Sequence, residues 1–166
     1  YLCDLTDVYI QKNVFELIKN YKPYVTSENQ YISNCQTNTT WINLCYNSDV
    51  YNLLKKYQIL NGGSILSNRE SAVELLKEMC LDMTQIISRI GNYQNIDQAS
   101  LNKVVYFDQY RYNILNQFEI ANLAHHGNAE VDLNSSFIKI NKHEPYVLHQ
   151  YDVIKKLETH LYVQSQ

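Results

Sequence analysis

Hydrophobic positions are most regularly spaced between residues 67 and 91, where apolar side chains recur every three or four residues. Ser67 and Glu70 form a capping box ahead of this run, and Gly91 follows it. The spacing predicts an amphipathic helix of about 23 residues with its apolar face in the core. The predicted apolar face consists of Val73, Leu76, Met79, Cys80, Met83, Ile86, Ile87 and Ile90.

Four other segments have helical spacing of apolar residues. They span approximately residues 4–22, 48–61, 97–124 and 144–161. Pro23 ends the first of these patterns, and Asn61-Gly62-Gly63 has the composition of a helix C-terminus at the end of the second. Residues 129–143 alternate only weakly, which is consistent with a short extended arm or strand.

A long polar connection, residues 22–47, separates the first two predicted helices. It contains a proline and many Ser, Thr and Asn residues, with a short helical turn expected near Trp41. The pattern as a whole predicts an all-α fold: a bundle of about five helices with a long disulfide-tethered loop between the first two. The length of 166 residues and the absence of a composition boundary predict one helical domain, 1–166.

The four cysteines, Cys3, Cys35, Cys45 and Cys80, do not have the close pairing of a zinc or C-x-x-C redox site. Their positions favour two disulfides that tie the N-terminal segment and the long loop to the predicted helix at 67–91. We expect Cys3 to pair with one loop cysteine and Cys80 with the other, although three pairings are possible.

The amino-acid composition argues against several classes of protein. The net charge is −3 with 19% charged residues, so no basic stripe of a nucleic-acid-binding protein is present. No run of 18 apolar residues predicts a membrane span. The low content of Gly (4) and Pro (2) also disfavours an all-β sandwich, which needs many turns.

Residues with catalytic or metal-binding side chains form no recognisable motif. His143 and His149 are six residues apart, unlike the i, i+4 pair of a helical zinc site, and His125 and His126 are adjacent. Glu70, Glu74 and Glu78 are spaced as one solvated helix face. We therefore predict a non-enzymatic protein without catalytic residues, metal ligands or cofactor.

Tyrosine is abundant, with 15 residues, and it is enriched in protein interfaces. The predicted helix at 97–124 is apolar on several sides, which indicates a central position or contact with a second protein. Interface candidates on it are Tyr106, Tyr110, Tyr112 and Phe118. We expect a homo-oligomer or a heterologous protein partner at this surface.

The function predicted from these features is a secreted or luminal protein that binds another protein, as a signalling ligand or a pathogen effector acting on a host. One alternative is an intracellular viral-type helical decoy of death or inflammatory signalling, with four free thiols. The other is a carrier of a small apolar ligand. Glycosylation candidates are the sequons at Asn38 and Asn134, although about two are expected by chance in a chain this rich in Asn.

Overall fold

The computed structural model describes residues 1–4, 6–91, 96–124 and 129–164, and it shows a mixed α/β fold. The strands are β1 (Leu2–Cys3), β2 (Val8–Ile10), β3 (Tyr24–Tyr31), β4 (Gln58–Leu66), β5 (Asn113–Leu115), β6 (Ile120–Asn122), β7 (Val131–Asp132), β8 (Lys139–Ile140) and β9 (Val147–His149). The α-helices are α1 (Gln36–Cys45), α2 (Ser48–Leu54), α3 (Arg69–Ile90), α4 (Ile96–Phe107) and α5 (Lys155–Gln164).

The larger sheet has the strand order β1-β4-β3-β5. Strand β4 is antiparallel to both β1 and β3, whereas β5 runs parallel to β3. Helices α1, α3 and α4 contact one another, and their apolar side chains join those of β3 and β4 in the largest core cluster. This cluster contains the fully buried Ile42, Leu60, Ile86 and Leu101, among others.

A second sheet has the order β2-β9-β6, with β2 antiparallel and β6 parallel to β9. Helix α5 packs on it through Leu157 and Leu161, which share a core cluster with Leu148 of β9. Strands β3 and β6 bring the two sheets into contact, and residues 4–7 connect β1 of the first sheet to β2 of the second. That connection positions the candidate site described below.

The helix predicted at 67–91 is confirmed as α3. Its N-cap is Asn68 and not the predicted Ser67, because the Asn68 side-chain oxygen accepts the hydrogen bond from Ser71 N at 2.8 Å. Gly91 ends it with φ of 63°, a left-handed conformation that glycine adopts without steric cost. The buried face comprises Leu75, Met79, Asp82 and Ile86, whereas Leu76 is 40% exposed. The face is therefore rotated slightly from the one that the spacing indicated.

The prediction of an all-α bundle is wrong, because several segments assigned to helices or to the long loop are strands. Residues 24–31 form β3, and 58–66 form β4, which contains the glycines interpreted as a helix C-terminus. Strand β4 is flanked by strands on both sides and is buried over most of its length, so it lacks the alternation of a half-exposed strand. Only the first part of the predicted helix at 97–124 is helical: α4 ends at Phe107, and the strands β5 and β6 follow it.

The prediction of disulfides among Cys3, Cys35, Cys45 and Cys80 is also wrong, since all four lie in the described residues and are free thiols. Cys3 is exposed on β1, and Cys80 is exposed on the outer face of α3. Cys35 and Cys45 are buried at opposite ends of α1, a separation of about 15 Å at the standard helical rise. The segment 22–47 is held by strand pairing and a helix, so it needs no covalent tether.

Candidate metal centre

The connection between the two sheets carries two carboxylates, Asp4 and Asp7, directly after β1 and directly before β2. Asp4 N donates a hydrogen bond to Gly63 O in β4 at 3.2 Å. Gln150 N, just beyond the end of β9, donates to Asp7 O at 2.8 Å. The backbone of both aspartates is therefore attached to neighbouring strands, which brings their side chains to the same place.

His149, the last residue of β9, has a ring that is only 1% exposed. Its Nδ1 lies 2.7 Å from Oδ1 of the buried Asn122. The Asn122 amide nitrogen faces Thr26 Oγ1 at 3.4 Å and Ser27 O at 3.5 Å, which fixes the orientation of the amide. Because an amide oxygen only accepts hydrogen bonds, Nδ1 carries the hydrogen.

The other ring nitrogen, Nε2, faces the two carboxylates. It lies 3.1 Å from Asp4 Oδ2 and 3.8 Å from Asp7 Oδ1. One ligand atom from each of the three residues lies within 4.8 Å of the other two. With the hydrogen on Nδ1, three lone pairs converge at one point. This arrangement requires a proton on Nε2 or a cation between the three groups.

Gly63 allows the backbone of β4 to approach these side chains. A Cβ at this position would lie 2.3 Å from Asp4 Oδ2 and 2.4 Å from His149 Cε1, far inside van der Waals contact. At neighbouring Gly62, a Cβ would meet nothing within 4 Å. The glycine at 63, and not the one at 62, is thus a steric requirement of the cluster.

A second layer of buried polar groups lies behind Gly63. Gly63 N donates to Asn61 Oδ1 at 2.8 Å, and Asn61 Nδ2 donates to Glu28 Oε1 at 2.9 Å. Glu28 and Asn61 are 4% and 2% exposed. Together with Thr26 and Asn122, they form a polar strip inside the contact of the two sheets, where apolar side chains would otherwise be expected.

Another buried polar cluster lies between the helices. Asp82 of α3 accepts hydrogen bonds from Tyr46 Oη and from Lys103 Nζ of α4. Burial and the hydrogen bond to Asp82 raise the pKa of Tyr46. Burial, with Asp82 nearby, also raises the pKa of the Cys45 thiol to about 11. The Asp82 carboxylate is thus paired with a hydroxyl donor and with an ammonium group. This pairing links α3 to α4 and to Tyr46 at the end of α1.

The structure separates the four interface candidates. Tyr106 is buried, stacks on Tyr57 with ring centroids 4.2 Å apart, and donates to Gln58 O at 2.6 Å. Tyr112 is buried too and donates to Glu78 Oε2 at 3.2 Å; burial raises its pKa to about 12. Tyr110 and Phe118 are 77% and 48% exposed, and the Phe118 ring contacts that of His143 at a tilt of 39°. The four side chains thus do not form one surface.

The glycosylation candidates differ in accessibility. Asn38 is 4% exposed, and its side chain contacts Cys35 Sγ and accepts a hydrogen bond from Gln98 at 3.0 Å. A glycan at Asn38 would have to displace that contact. Asn134 is exposed in the turn between β7 and β8. His125 and His126 lie outside the described residues.

No protein-family model, curated protein or solved structure matches this chain.

Sequence reasoning did not single out Asp4 or Asp7 as possible ligands, and it rejected His149 because its spacing from His143 does not match a helical zinc site. Their separation along the chain is the reason, because a 145-residue interval between Asp4 and His149 carries no local spacing. One signal was present: two carboxylates, three positions apart, stand between two short runs of β-forming residues. Polar groups that directly follow or precede strands gather at the ends of sheets, where ligands bind in many α/β folds.

Proposed function

We propose that this protein binds a divalent cation through Asp4, Asp7 and His149, and through that cation the diphosphate of a substrate. The observation that supports this most strongly is the orientation of His149. Its Nδ1–H is held by Asn122, which leaves Nε2 as the ring nitrogen that faces the two carboxylate oxygens. A histidine ligand whose second nitrogen donates to a fixed acceptor is the usual arrangement in metal sites.

The donor set indicates which cation to expect. Two carboxylate oxygens suit Mg²⁺ and Mn²⁺, and an imidazole nitrogen favours transition metals. Mn²⁺ satisfies both preferences, so we expect it to bind more tightly than Mg²⁺. Both ions are commonly six-coordinate, which leaves about three positions beyond the three protein ligands.

Those remaining positions are accessible from solvent, because the Asp4 side chain is 56% exposed and that of Asp7 is 24% exposed. A cation held by few carboxylates and open on one side typically completes its shell with water and substrate phosphate oxygens. A diphosphate supplies two such oxygens. We therefore extend the proposal to a transferase that acts on a nucleoside diphosphate donor, and nucleotide sugars are the class to test first.

The chemistry of such a reaction needs a charge stabiliser more than a nucleophile from the protein. The acceptor oxygen bonds to the donor carbon, the bond from that carbon to the diphosphate oxygen breaks, and its electron pair leaves on the diphosphate. The acceptor's proton passes to solvent. A divalent cation held by Asp4, Asp7 and His149 would supply positive charge against the charge that develops on the leaving diphosphate.

Cation binding is tested by titrating Mn²⁺ into the protein and measuring free Mn²⁺ by electron paramagnetic resonance. Asp4→Asn and Asp7→Asn should each weaken binding by at least about 10-fold to 100-fold. Asp49→Asn, an exposed aspartate in the first turn of α2, is the matched control and should bind like the native chain. Equal affinity of all four proteins would contradict the proposed centre.

Substrate binding is tested by calorimetry with UDP, GDP and ADP in the presence and absence of Mn²⁺. We expect at least one of the three to bind only with Mn²⁺, and to lose binding in Asp7→Asn. If Mn²⁺ binds but none of these diphosphates binds better with it, the cation site stands and the diphosphate-dependent reaction is rejected.

Three hypotheses from the sequence stay predictions. They are a secreted, non-enzymatic protein with a protein partner, an intracellular decoy and a carrier of an apolar ligand. Their helical-bundle basis is corrected, and so is the disulfide argument for an oxidising compartment. In the described residues, no helix has the length and apolar character needed to cross a bilayer.

A further inference from the structure

A cavity of about 490 Å³ lies where strand β2 meets helix α5 and the turn before it. Its wall includes Tyr9 of β2, Tyr151 and Asp152 of the turn, and Glu158 and Tyr162 of α5. The volume is within the range of small-molecule sites, roughly 300–1,000 Å³. The size of the cavity therefore suits a small organic ligand.

The cavity is separate from the candidate metal centre. Tyr9 pairs with Leu148 in the second sheet, and both residues belong to the core cluster under α5. Successive residues of a strand point to opposite faces, so His149, which follows Leu148, points to the other face of the sheet. Asp4, Asp7 and His149 are not among the residues described as lining the cavity. A ligand in the cavity would thus bind independently of the proposed cation site.

The charges on the wall favour a positively charged ligand. Asp152 and Glu158 supply two carboxylates, and none of the residues described as lining the cavity is a lysine or arginine. A phosphate or carboxylate ligand would be repelled by these carboxylates and would find no cationic side chain. A neutral ligand would displace water from the carboxylates without compensating their charge.

Three tyrosine rings add a second attraction for a cation. Tyr9 and Tyr151 are partly buried and pack against the core cluster under α5, which supports their positions. Tyr151 Oη also donates to Thr6 O at 3.4 Å. Tyr162 completes the aromatic part of the wall from α5. Aromatic rings around an ammonium group are the usual means by which proteins recognise alkylated ammonium ligands.

One of the two carboxylates already binds an ammonium group within the chain. Lys155 Nζ lies 3.0 Å from Glu158 Oε2, and the lysine side chain is 89% exposed. Ion pairs between exposed side chains contribute little to stability, so Lys155 is easily displaced. An ammonium group of a ligand that also contacts tyrosine rings can replace Lys155 at Glu158.

A metal ion fits this wall less well than an organic cation. In the described residues, a group of three metal-ligating side chains close enough to share an ion occurs at Asp4, Asp7 and His149, and not at the cavity. Tyrosine rings pack against C–H groups, which a hydrated metal ion lacks. Methyl or methylene groups next to a positive nitrogen satisfy the rings and the carboxylates together.

We propose that this cavity binds a small organic cation whose positive charge is carried by an alkylammonium group. The alkyl groups contact the rings of Tyr9, Tyr151 and Tyr162, and the charge is matched by Asp152 and Glu158. This site goes beyond the proposed function and does not depend on it, because the two sites lie on opposite faces of the second sheet.

The test is an NMR chemical-shift titration of the full chain with choline and with the diamine putrescine. Each probe has a matched neutral analogue: the alcohol in which a tert-butyl group replaces the trimethylammonium group of choline, and the diol that corresponds to putrescine. We expect at least one of the two ammonium probes to bind at least about tenfold more tightly than its neutral analogue, through cation–π and ionic attraction.

Variants of the wall assign the binding to the cavity. Tyr162→Leu should weaken the ammonium probe by about fivefold or more, because leucine is apolar but has no aromatic ring, whereas Tyr162→Phe should retain most of the affinity. Asp152→Asn should also weaken it by about fivefold or more. Tyr162 is 67% exposed and Asp152 is exposed, so these changes should leave the fold intact.

Matched controls use exposed residues of the same types outside the cavity. Tyr21→Leu, at a tyrosine that is 86% exposed, and Asp49→Asn should bind the ammonium probe like the native chain. Equal affinity of both ammonium probes and their neutral analogues would overturn the proposal. Native affinity in either Tyr162→Leu or Asp152→Asn would overturn it as well.

The metal-site variant Asp7→Asn separates this inference from the proposed function. It should bind the ammonium probe like the native chain, and a loss of that binding would place the probe at the metal centre and overturn the cavity assignment. Tyr162→Leu should conversely bind Mn²⁺ like the native chain. Ammonium binding in a protein that does not bind Mn²⁺ would reject the proposed function and leave the cavity site in place.

Discussion

The two buried polar clusters of this protein differ in how their charges are matched. Between the helices, the carboxylate of Asp82 meets a hydroxyl and an ammonium group, so donors and acceptors complement one another. Between the sheets, two carboxylates face the Nε2 atom of His149, whose Nδ1 donates to Asn122. A complemented cluster stabilises packing, whereas a convergent one needs an additional positive group.

This difference gives the two clusters opposite expected responses to mutation. Disruption of the helical cluster should lower the free energy of unfolding without affecting cation binding. Disruption of the cluster between the sheets should change cation affinity far more than stability. Proteins commonly accept unfavourable arrangements at functional sites for this reason.

The largest expected effect is on stability, from Asp82→Ala. It leaves Tyr46 Oη and Lys103 Nζ without their shared acceptor inside the helical layer. Because the Lys103 side chain is 27% exposed, the loss is moderated by solvent and should be about 2–4 kcal/mol in urea denaturation. Mn²⁺ affinity should be unchanged, and a parallel loss of that affinity would break the distinction between the clusters.

Asn122→Ala tests the support of His149. It removes the acceptor that orients the ring, so Mn²⁺ affinity should fall by about 10-fold to 100-fold. Asn102→Ala is the matched control, since Asn102 is equally buried and bonds to Leu60 N and O at 2.9 Å. We expect that variant to lose stability and to keep its cation affinity. The same affinity in both variants would show that Asn122 has no positioning role.

Gly63→Ala and Gly62→Ala sharpen the comparison at adjacent positions of one strand. At residue 63 the new methyl group would displace Asp4 and His149, so Mn²⁺ affinity should fall by about 10-fold. At residue 62 the methyl group has space, and the lower entropy of the unfolded chain should change stability by no more than about 1 kcal/mol. Identical titrations for the two variants would refute the steric argument.

The smallest expected effect concerns thiol reactivity near each cluster. Cys3 precedes Asp4 and is exposed, whereas Cys45 is buried near Asp82 with its pKa raised to about 11. At pH 8 the thiolate fraction of Cys45 is about one in a thousand. Ellman's reagent should therefore react with Cys3 and Cys80 in the native protein, and with all four cysteines after denaturation.

Burial favours the neutral form of the Cys45 thiol, and this determines how the stability of the fold depends on pH. Cys45 contributes stability fully below its unfolded pKa of about 9 and loses that contribution as the pH rises toward 11. Four reactive thiols in the native protein at pH 8 would contradict the buried position of Cys35 and Cys45.

Local signals in the sequence were sufficient to predict the helices that are stabilised by interactions within the helix itself. Helix α3 has periodic apolar residues, a polar N-cap and a glycine at its end, and all of these act within the helix itself. Helix α2 begins at Ser48, the start of the predicted segment 48–61, and the side chain of Asn47 caps it. Its predicted continuation to residue 61 failed because β4 takes over from residue 58.

Strands β3 and β4 show why the remaining elements were misassigned. Thr26, Ser27, Glu28 and Asn61 are polar residues in interior strands, and polar runs usually indicate loops. They can be buried because they have buried polar partners: Asn61 donates to Glu28, and the Asn122 amide faces Thr26 and Ser27. A sequence pattern records the residue types but not the partners that satisfy them.

The sequence by itself determined the longest helix, the cysteine and tyrosine content and the lack of a basic surface stripe. Tertiary structure alone decided the pairing of strands, the state of the thiols and the meeting of Asp4, Asp7 and His149. The physical reason is the range of each interaction. Helix periodicity and capping act over three or four residues, whereas the contact between Asp4 and His149 spans 145 positions and exists only after both sheets have formed.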